Sequence, residues 1–311
     1  MSQKSEFCNA CSSGNLDLAK LLTQTNTSVE NKSACYDYAF VSACVNGHLE
    51  VARWLIENHL SIQNVDKSAC NCAFAGACVN GHLEVAKWLV HVCQSSIDIS
   101  VRNNYAFRYA CLNGDLDLAK WLVESRPFGI NVFALDYCIF KYTCSNGHLE
   151  VAKWLVESYP SVVNVFGIKC AFKNACLNGH LEVAKWLVES YSSIVNISYE
   201  HQQIFIDACA QGHLQIAKWL VESFTQINIS ALDHHAFKHA CVNGQLEVAK
   251  WLVESYPQIN VSTQHHCAFK VACHCSHLEV AKWLVDIQPN HYILELDPSQ
   301  TKIQSWKIMS S

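Results

Sequence analysis

Cysteine and histidine are the residue types through which this chain could hold a metal ion, form disulfides or supply a catalytic nucleophile and its base. The chain has 18 cysteines and 16 histidines among 311 residues. Nine of the cysteines recur at intervals of 32–34 residues: Cys11, Cys44, Cys78, Cys111, Cys144, Cys176, Cys209, Cys241 and Cys273. Equivalent atoms in stacked helical repeats lie roughly 8–10 Å apart, too far for a disulfide. We therefore interpret these nine residues as buried free thiols that fill one packing position.

Two local clusters could bind a metal ion. Residues 265–277 combine four histidines with Cys267, Cys273 and Cys275, and Cys8 and Cys11 form one C-x-x-C spacing. However, Cys267 and Cys273 occupy positions that cysteine also fills in earlier repeats, and no second C-x-x-C pair completes a tetrahedral site. We predict packing rather than metal binding, with zinc as the open alternative at residues 265–277, and we expect no cofactor.

Histidine also follows the recurrent glycine, or Ser276 at the equivalent position of the last repeat: His48, His82, His148, His180, His213 and His277. Because these histidines recur with the same period, a structural role in a turn is favoured. No repeat supplies a nucleophile, a base and an orienting acid that depart together from the pattern, as a catalytic site should. We therefore expect that the protein is not an enzyme.

Composition excludes further classes. The 22 Lys and Arg residues are outnumbered by 27 Asp and Glu residues, for a net charge of −5, which disfavours general nucleic-acid binding. No apolar run reaches the roughly 20 residues of a membrane span, and the first residues lack a signal-peptide pattern. We expect a protein of the cytosol or nucleus.

A repeated structural unit must position these cysteines and histidines. The motif around Gly47, ACVNGHLEVARWL, returns at six further glycines and in weaker copies at Gly14 and Ser276, with the same 32–34-residue period, giving nine repeats. Its second half places apolar residues on one arc of a helix, with a tryptophan at the edge of that arc that we expect to be half-buried. Before the glycine, Phe172, Ala175 and Cys176 form the apolar stripe of a first helix, for which Asp136 and Asp233 are candidate N-caps in their own repeats.

The turn NGH followed by LEVAKWL resembles the inter-helix turn and second helix of ankyrin repeats. The motif sequence NGHLEVAKWL is similar to those of the divergent ankyrin arrays abundant in amoebae and in the giant DNA viruses that infect them. This similarity implies a role in virus–host interaction. The resemblance implies an all-α, ankyrin-like helix-turn-helix solenoid of about nine stacked repeats with short loops or hairpins between them. We place one elongated repeat array at residues 1–287 and a C-terminal extension or cap at 288–311.

Ankyrin arrays are non-catalytic protein-binding scaffolds that use a concave face, so the resemblance implies an unidentified protein partner. Variation in this chain concentrates six and five residues before the glycine of each repeat. These positions predict a strip of cationic, aromatic and polar side chains, here called the basic strip: Arg108, Tyr109, Lys141, Tyr142, Lys173, Asn174, Lys238, His239 and Lys270. Tyrosine and arginine are enriched at binding hot spots, and the charge would suit an acidic or phosphorylated segment. The alternative interpretation is a solvated helix face without a partner.

The C-terminal residues leave a second function open. Tyr292, Leu294 and Trp306 could pack over the last repeat, or residues 288–311 could form a second binding surface. In the latter case the protein would be an adaptor that delivers a bound target to another machine, such as a ubiquitin ligase. We expect a scaffold first, present as a monomer, with the adaptor as the alternative.

Overall fold

The computed structural model describes residues 3–24, 32–60, 65–93, 101–124, 138–195, 200–229, 231–259, 261 and 263–309. Within these ranges the chain forms nine pairs of α-helices, one pair for each repeat, one extra short α-helix and a 3-10 helix at Pro160–Val162. The first six pairs are α1 (Gln3–Ser12) and α2 (Leu16–Gln24), α3 (Lys32–Val45) and α4 (Leu49–Asn58), α5 (Lys67–Val79) and α6 (Leu83–Cys93), α7 (Val101–Leu112) and α8 (Leu116–Glu124), α9 (Cys138–Ser145) and α10 (Leu149–Ser158), and α11 (Val165–Leu177) and α12 (Leu181–Ser190). After α13 (Ser192–Val195) come α14 (His201–Gln211) and α15 (Leu214–Ser223), α16 (Ala231–Val242) and α17 (Leu246–Ser255), and α18 (Thr263–His274) and α19 (Leu278–Ile287).

The chain divides into two compact units. Unit 1 contains Met1–Thr143 and His148–Val163, and unit 2 contains Cys144–Gly147 and Asn164–Ser311. In unit 1 the first helices α1, α3, α5 and α7 pack in sequence, and each contacts the second helix of its own repeat. In unit 2 the same holds for α11, α14, α16 and α18. The repeated helix-turn-helix architecture confirms the predicted fold class.

The first helices bury the stripe that the sequence predicted. In α11, Phe172 is 2% exposed, and Ala175 and Cys176 are fully buried. Phenylalanine supplies apolar area, whereas alanine and cysteine are small enough for neighbouring helices to approach closely. In this repeat the first helix therefore contributes one large and two small side chains to the core, and the second helix adds the buried Val183, Ala184 and Leu187.

The tryptophans of the second helices are half-buried, as predicted. Each of four indoles lies against the phenylalanine of the preceding repeat, with ring centroids 6.3 Å apart for Phe40 and Trp88 and 6.5 Å apart for Phe237 and Trp283. Such a contact buries apolar area and adds about 0.5–1.5 kcal/mol of attraction between the rings. The ion pairs on these helices, such as Lys87 with Glu84 at 2.9 Å, are solvent-exposed and contribute far less. Packing between repeats therefore dominates the stability of each unit.

The turn between the helices of a pair depends on its glycine. In repeat 2 the amide of His48 donates to the carbonyl of Ala43 at 2.9 Å, which ends α3, while Gly47 adopts a φ of +82°. Only glycine reaches this left-handed conformation without strain. In repeat 9 the position is taken by Ser276 at a φ of +60°.

The predicted N-caps differ from those observed. Asp136 lies outside the described residues, and the prediction for Asp233 is wrong because this residue lies within α16, in its first turn. A side-chain cap on a first helix is instead supplied by Asn164, whose Oδ1 accepts a hydrogen bond from the amide of Gly167 at 2.6 Å. Asn164 acts as the N-cap because it directly precedes α11 and accepts a hydrogen bond from one of the free amides in the first turn of this helix.

The last described residues form an antiparallel hairpin of β1 (Tyr292–Leu296) and β2 (Ile303–Ile308), which the sequence analysis did not predict as strands. Tyr292 is 2% exposed and stacks on Phe269 of α18, with ring centroids 4.2 Å apart. Trp306 meets the same phenylalanine edge-on at 6.0 Å. The hairpin therefore packs on α18 through two aromatic residues.

Candidate partner-binding surface

All nine residues of the basic strip lie on first helices, at positions −6 and −5 counted from the turn glycine, or from Ser276 in repeat 9. Unit 1 holds Arg108 and Tyr109 on α7 and Lys141 and Tyr142 on α9; unit 2 holds Lys173 and Asn174 on α11, Lys238 and His239 on α16, and Lys270 on α18. Each unit therefore carries its own part of the strip.

The exposure of these side chains varies. Tyr142 is 43% exposed, and His239 is also exposed. Six others are half-buried, an exposure that still leaves them in contact with water. Surface positions of this kind can bind a partner without disturbing the core between the first helices.

Lys238 departs from the expected solvent-facing placement, and that expectation is wrong for this residue. Its side chain is only 7% exposed, and its Nζ has no hydrogen-bond partner among the residues that the structure describes. The neighbouring first helix α14 has Ile206 at the same position, also buried at 3% exposure. Because α16 packs between α14 and α18, position −6 of this repeat lies in the helix interface rather than outside it.

The strip is wider than the sequence analysis predicted. On α7 the rings of Tyr105 and Tyr109 lie 4.4 Å apart, and on α9 the Nζ of Lys141 lies 4.1 Å from the ring centroid of Tyr142. Tyr105 occupies position −9, one helical turn before position −5. Together α7 and α9 thus present three tyrosines with two half-buried cationic side chains, Arg108 and Lys141.

Position −9 is coupled to position −5 in unit 2 as well. On α14 the side-chain amide of Gln203 donates to Oδ1 of Asp207 at 2.8 Å, and on α16 the rings of His235 and His239 lie 5.7 Å apart. The sequence offered a signal for these residues, since side chains four apart share a helix face. Position −9 also varies between repeats, from tyrosine to cysteine, glutamine and histidine.

The histidines that follow the turn glycine are structural, as predicted. The Nε2 of His48 lies 3.0 Å from the carbonyl oxygen of Ser12 in the preceding repeat, and that of His213 lies 2.8 Å from the oxygen of Leu177. The His82 ring packs against the turn at Gly47. These side chains join successive turns.

The nine recurrent cysteines are buried free thiols, in agreement with the interpretation from their spacing. Burial raises the pKa of Cys273 to about 12 and, together with the nearby Cys8 and Cys35, raises that of Cys11 to about 12. A thiol with so high a pKa stays protonated and is a poor nucleophile and metal ligand. Cys72 and Cys275 are instead exposed.

The histidines of the histidine- and cysteine-rich residues 265–277 contact different neighbours. The Nδ1 of His266 lies 2.8 Å from the Tyr292 hydroxyl, His274 lies edge-on to Trp306, and His277 packs against the turn at Gly244. Across the described ranges, no group of three or more His, Cys, Asp or Glu side chains is placed to hold a metal ion. The side chain of His265 lies outside the described residues.

None of the described helices is long and apolar enough to cross a membrane.

Comparison with known families gives a match over most of the chain. The family model described as "Ankyrin repeats (3 copies)" matches residues 7–103, 75–166 and 140–233. No curated protein matches the chain. The matched residues extend from α1 into α16 and contain seven of the nine turn motifs at full length.

Proposed function

The chain belongs to the ankyrin repeat family, whose members are generally non-catalytic interaction modules, and we propose that it is a scaffold that binds a partner protein. The binding surface in this proposal is the concave face formed by first helices, at positions −9, −6 and −5. The observation that supports it is the contrast between constant and variable positions. Phenylalanine and cysteine recur at buried positions of the first helices, accompanied by alanine in all repeats but the fifth, whereas the residues at positions −9, −6 and −5 differ between repeats.

The chemistry of these positions favours an acidic or phosphorylated segment of the partner. Arg108, Lys141 and Lys173 are partly exposed cations. Tyr109 and Tyr142 stand beside them as rigid aromatic side chains, which lose little conformational entropy when they are immobilised by a partner. Cations beside aromatic rings can attract carboxylates and phosphates while the rings bury apolar area.

Charge reversal with a matched control tests the surface. The double variant Lys141→Glu and Lys173→Glu changes position −6 in repeats 5 and 6. The control, Lys153→Glu and Lys185→Glu, makes the same charge change in the same repeats but on the second helices α10 and α12, where the lysines pair with exposed glutamates. Proteins captured from a native extract should be lost with the first variant and kept with the control. Equal capture by both variants would contradict the proposal.

An adaptor function remains the alternative, and the hairpin defines how to test it. Tyr292 and Trp306 are already engaged with α18, so a second partner would have to contact the outward face, where Ile293 and Met309 are 40% and 39% exposed. Replacing both outward residues by serine leaves the contacts to α18 intact. A scaffold should keep all its captured proteins, whereas an adaptor should lose one class and retain another.

We further propose that the protein acts as a monomer in the cytosol or nucleus, without general affinity for nucleic acid. The net charge of −5 supports the last point. Sedimentation at several concentrations, with and without duplex DNA, should give one species with the mass of a single chain.

A further inference from the structure

Three thiols from α1 and α3 lie close together in unit 1. The Sγ atoms of Cys8 and Cys35 are 3.7 Å apart, and Cys11 is near enough for its titration to be affected by both. Neither Cys8 nor Cys35 belongs to the recurrent buried position, because the cysteine of repeat 1 at that position is Cys11 and that of repeat 2 is Cys44. The spacing argument that keeps recurrent thiols apart therefore does not apply to this pair.

The three thiols differ in access to solvent. Cys8 is partly exposed, Cys35 is 5% exposed and Cys11 is fully buried. Burial, with the two neighbouring thiols, raises the pKa of Cys11 to about 12, so that it stays protonated at neutral pH. An attacking reagent therefore reaches Cys8 first, and Cys35 is the thiol in contact with it.

We propose that Cys8 and Cys35 form a reversible disulfide that joins α1 to α3, with a low-molecular-weight disulfide such as oxidised glutathione as the oxidant. The Cys8 thiolate attacks one sulfur of oxidised glutathione, forms a mixed disulfide and releases one glutathione thiolate. The Cys35 thiolate then attacks the Cys8 sulfur and releases the second glutathione. The two protons lost by the cysteines end on the two reduced glutathione molecules, so one disulfide is reduced as one is formed.

The geometry requires a small adjustment. A disulfide has an S–S distance of about 2.05 Å, so the sulfurs must approach by roughly 1.7 Å from their present separation. We expect rotation of the two side chains to supply a movement of this size. The bond would covalently fix the first repeat to the second, and reduction would release it.

The experiment compares the full-length protein with single variants after reduction, removal of the reductant and incubation with oxidised glutathione. Intact mass and peptide mapping report the products. The wild-type protein should lose two hydrogen atoms through a Cys8–Cys35 bond, whereas Cys35→Ser should retain a glutathione adduct on Cys8. Cys8→Ser should form neither product at this site. The matched control Cys11→Ser should form the same bond as the wild-type protein.

The exposed Cys72 and Cys275 serve as internal markers of adduct formation. If they acquire glutathione while Cys8 and Cys35 remain thiols, the proposal is wrong. It is equally wrong if Cys8 pairs with Cys11, or if the Cys8–Cys35 bond is no more frequent in the folded protein than in urea. Hydrogen exchange provides a separate readout, since amides of α1 should exchange more slowly after oxidation and recover their original rate with dithiothreitol. These outcomes do not depend on partner binding.

Discussion

Replacing Gly47 by alanine should destabilise unit 1 through two effects that the structure separates. The first is the backbone conformation, since a φ of +82° costs an L-residue roughly 1–2 kcal/mol. The second is a collision, because the new Cβ would lie 2.7 Å from Cε1 and Nδ1 of His82 in the next repeat. Overpacking of this kind costs about 1–3 kcal/mol. The total loss of unfolding free energy should be about 2–5 kcal/mol.

Gly81 provides a matched control in the same unit. Its φ of +74° is similar, but the nearest atom to an added Cβ is Oδ2 of Asp115 at 3.5 Å, an ordinary contact. Gly81→Ala should therefore cost only the conformational part, roughly 1–2 kcal/mol. The difference between the two glycine variants should be about 1–3 kcal/mol, the cost of the collision alone.

A second substitution tests the assignment to His82. Asp115 occupies the equivalent position in repeat 4, where its Oδ1 accepts a hydrogen bond from the amide of Leu118 at 2.9 Å. In a His82→Asp background, Gly47→Ala should cost no more than Gly81→Ala does in the wild-type background. Urea unfolding followed by tryptophan fluorescence measures all four variants. Equal costs for the two glycines, or no rescue by His82→Asp, would refute the reasoning.

Three further predictions follow from burial. Iodoacetamide should alkylate the exposed Cys72 and Cys275 in the folded protein. It should alkylate Cys273 only after unfolding, because burial raises the pKa of this thiol to about 12. Peptide mapping reports the modified residues, and reaction of Cys273 in the folded protein would contradict this prediction. Burial against aromatic rings lowers the pKa of His201 below its ordinary value of 6.5. The unfolded chain therefore binds the proton more tightly than the folded protein does. The free energy of unfolding should decrease as the pH falls below about 6.5. Urea unfolding at several pH values should show this loss, and His201→Phe should reduce it; an unchanged pH profile in that variant would exclude His201 as the cause. Lys238→Met should raise the unfolding free energy by about 1–3 kcal/mol, because it removes a buried amine for which the described part of the chain supplies no hydrogen-bond partner. A loss of stability in urea unfolding would contradict this.

Much of the fold could be predicted because each repeat encodes it locally. The period fixed nine helix pairs, and the helical spacing of Phe172, Ala175 and Cys176 identified the buried stripe. Lys238 could not be placed in the same way, since its burial depends on how α14 and α18 pack on either side of α16. The hairpin was missed for a similar reason: what stabilises Tyr292 is its contact with Phe269, more than 20 residues earlier in the sequence.

The candidate surface was predicted in part. Positions −6 and −5 were found because they vary between otherwise similar repeats. Position −9 varies too, but its relation to position −5 becomes clear only when both lie on one helix face, as Tyr105 and Tyr109 do. The sequence could have indicated this pairing through the four-residue spacing. Side chains that vary together on one face are better candidates for binding than isolated lysines, because lysine is the ordinary exposed residue.

The contacts of Phe269 explain how the hairpin constrains function. In repeat 8, Phe237 meets the tryptophan of the next repeat, Trp283, at 6.5 Å. In repeat 9 the equivalent Phe269 meets Trp306 of the hairpin at 6.0 Å, nearly at right angles, so the hairpin supplies the aromatic contact that another repeat supplies elsewhere. The side of α18 that carries Phe269 is therefore covered by the chain itself. A partner that binds unit 2 must then use another surface. The variants proposed above test two such surfaces, the exposed variable positions of the first helices and the outward face of the hairpin.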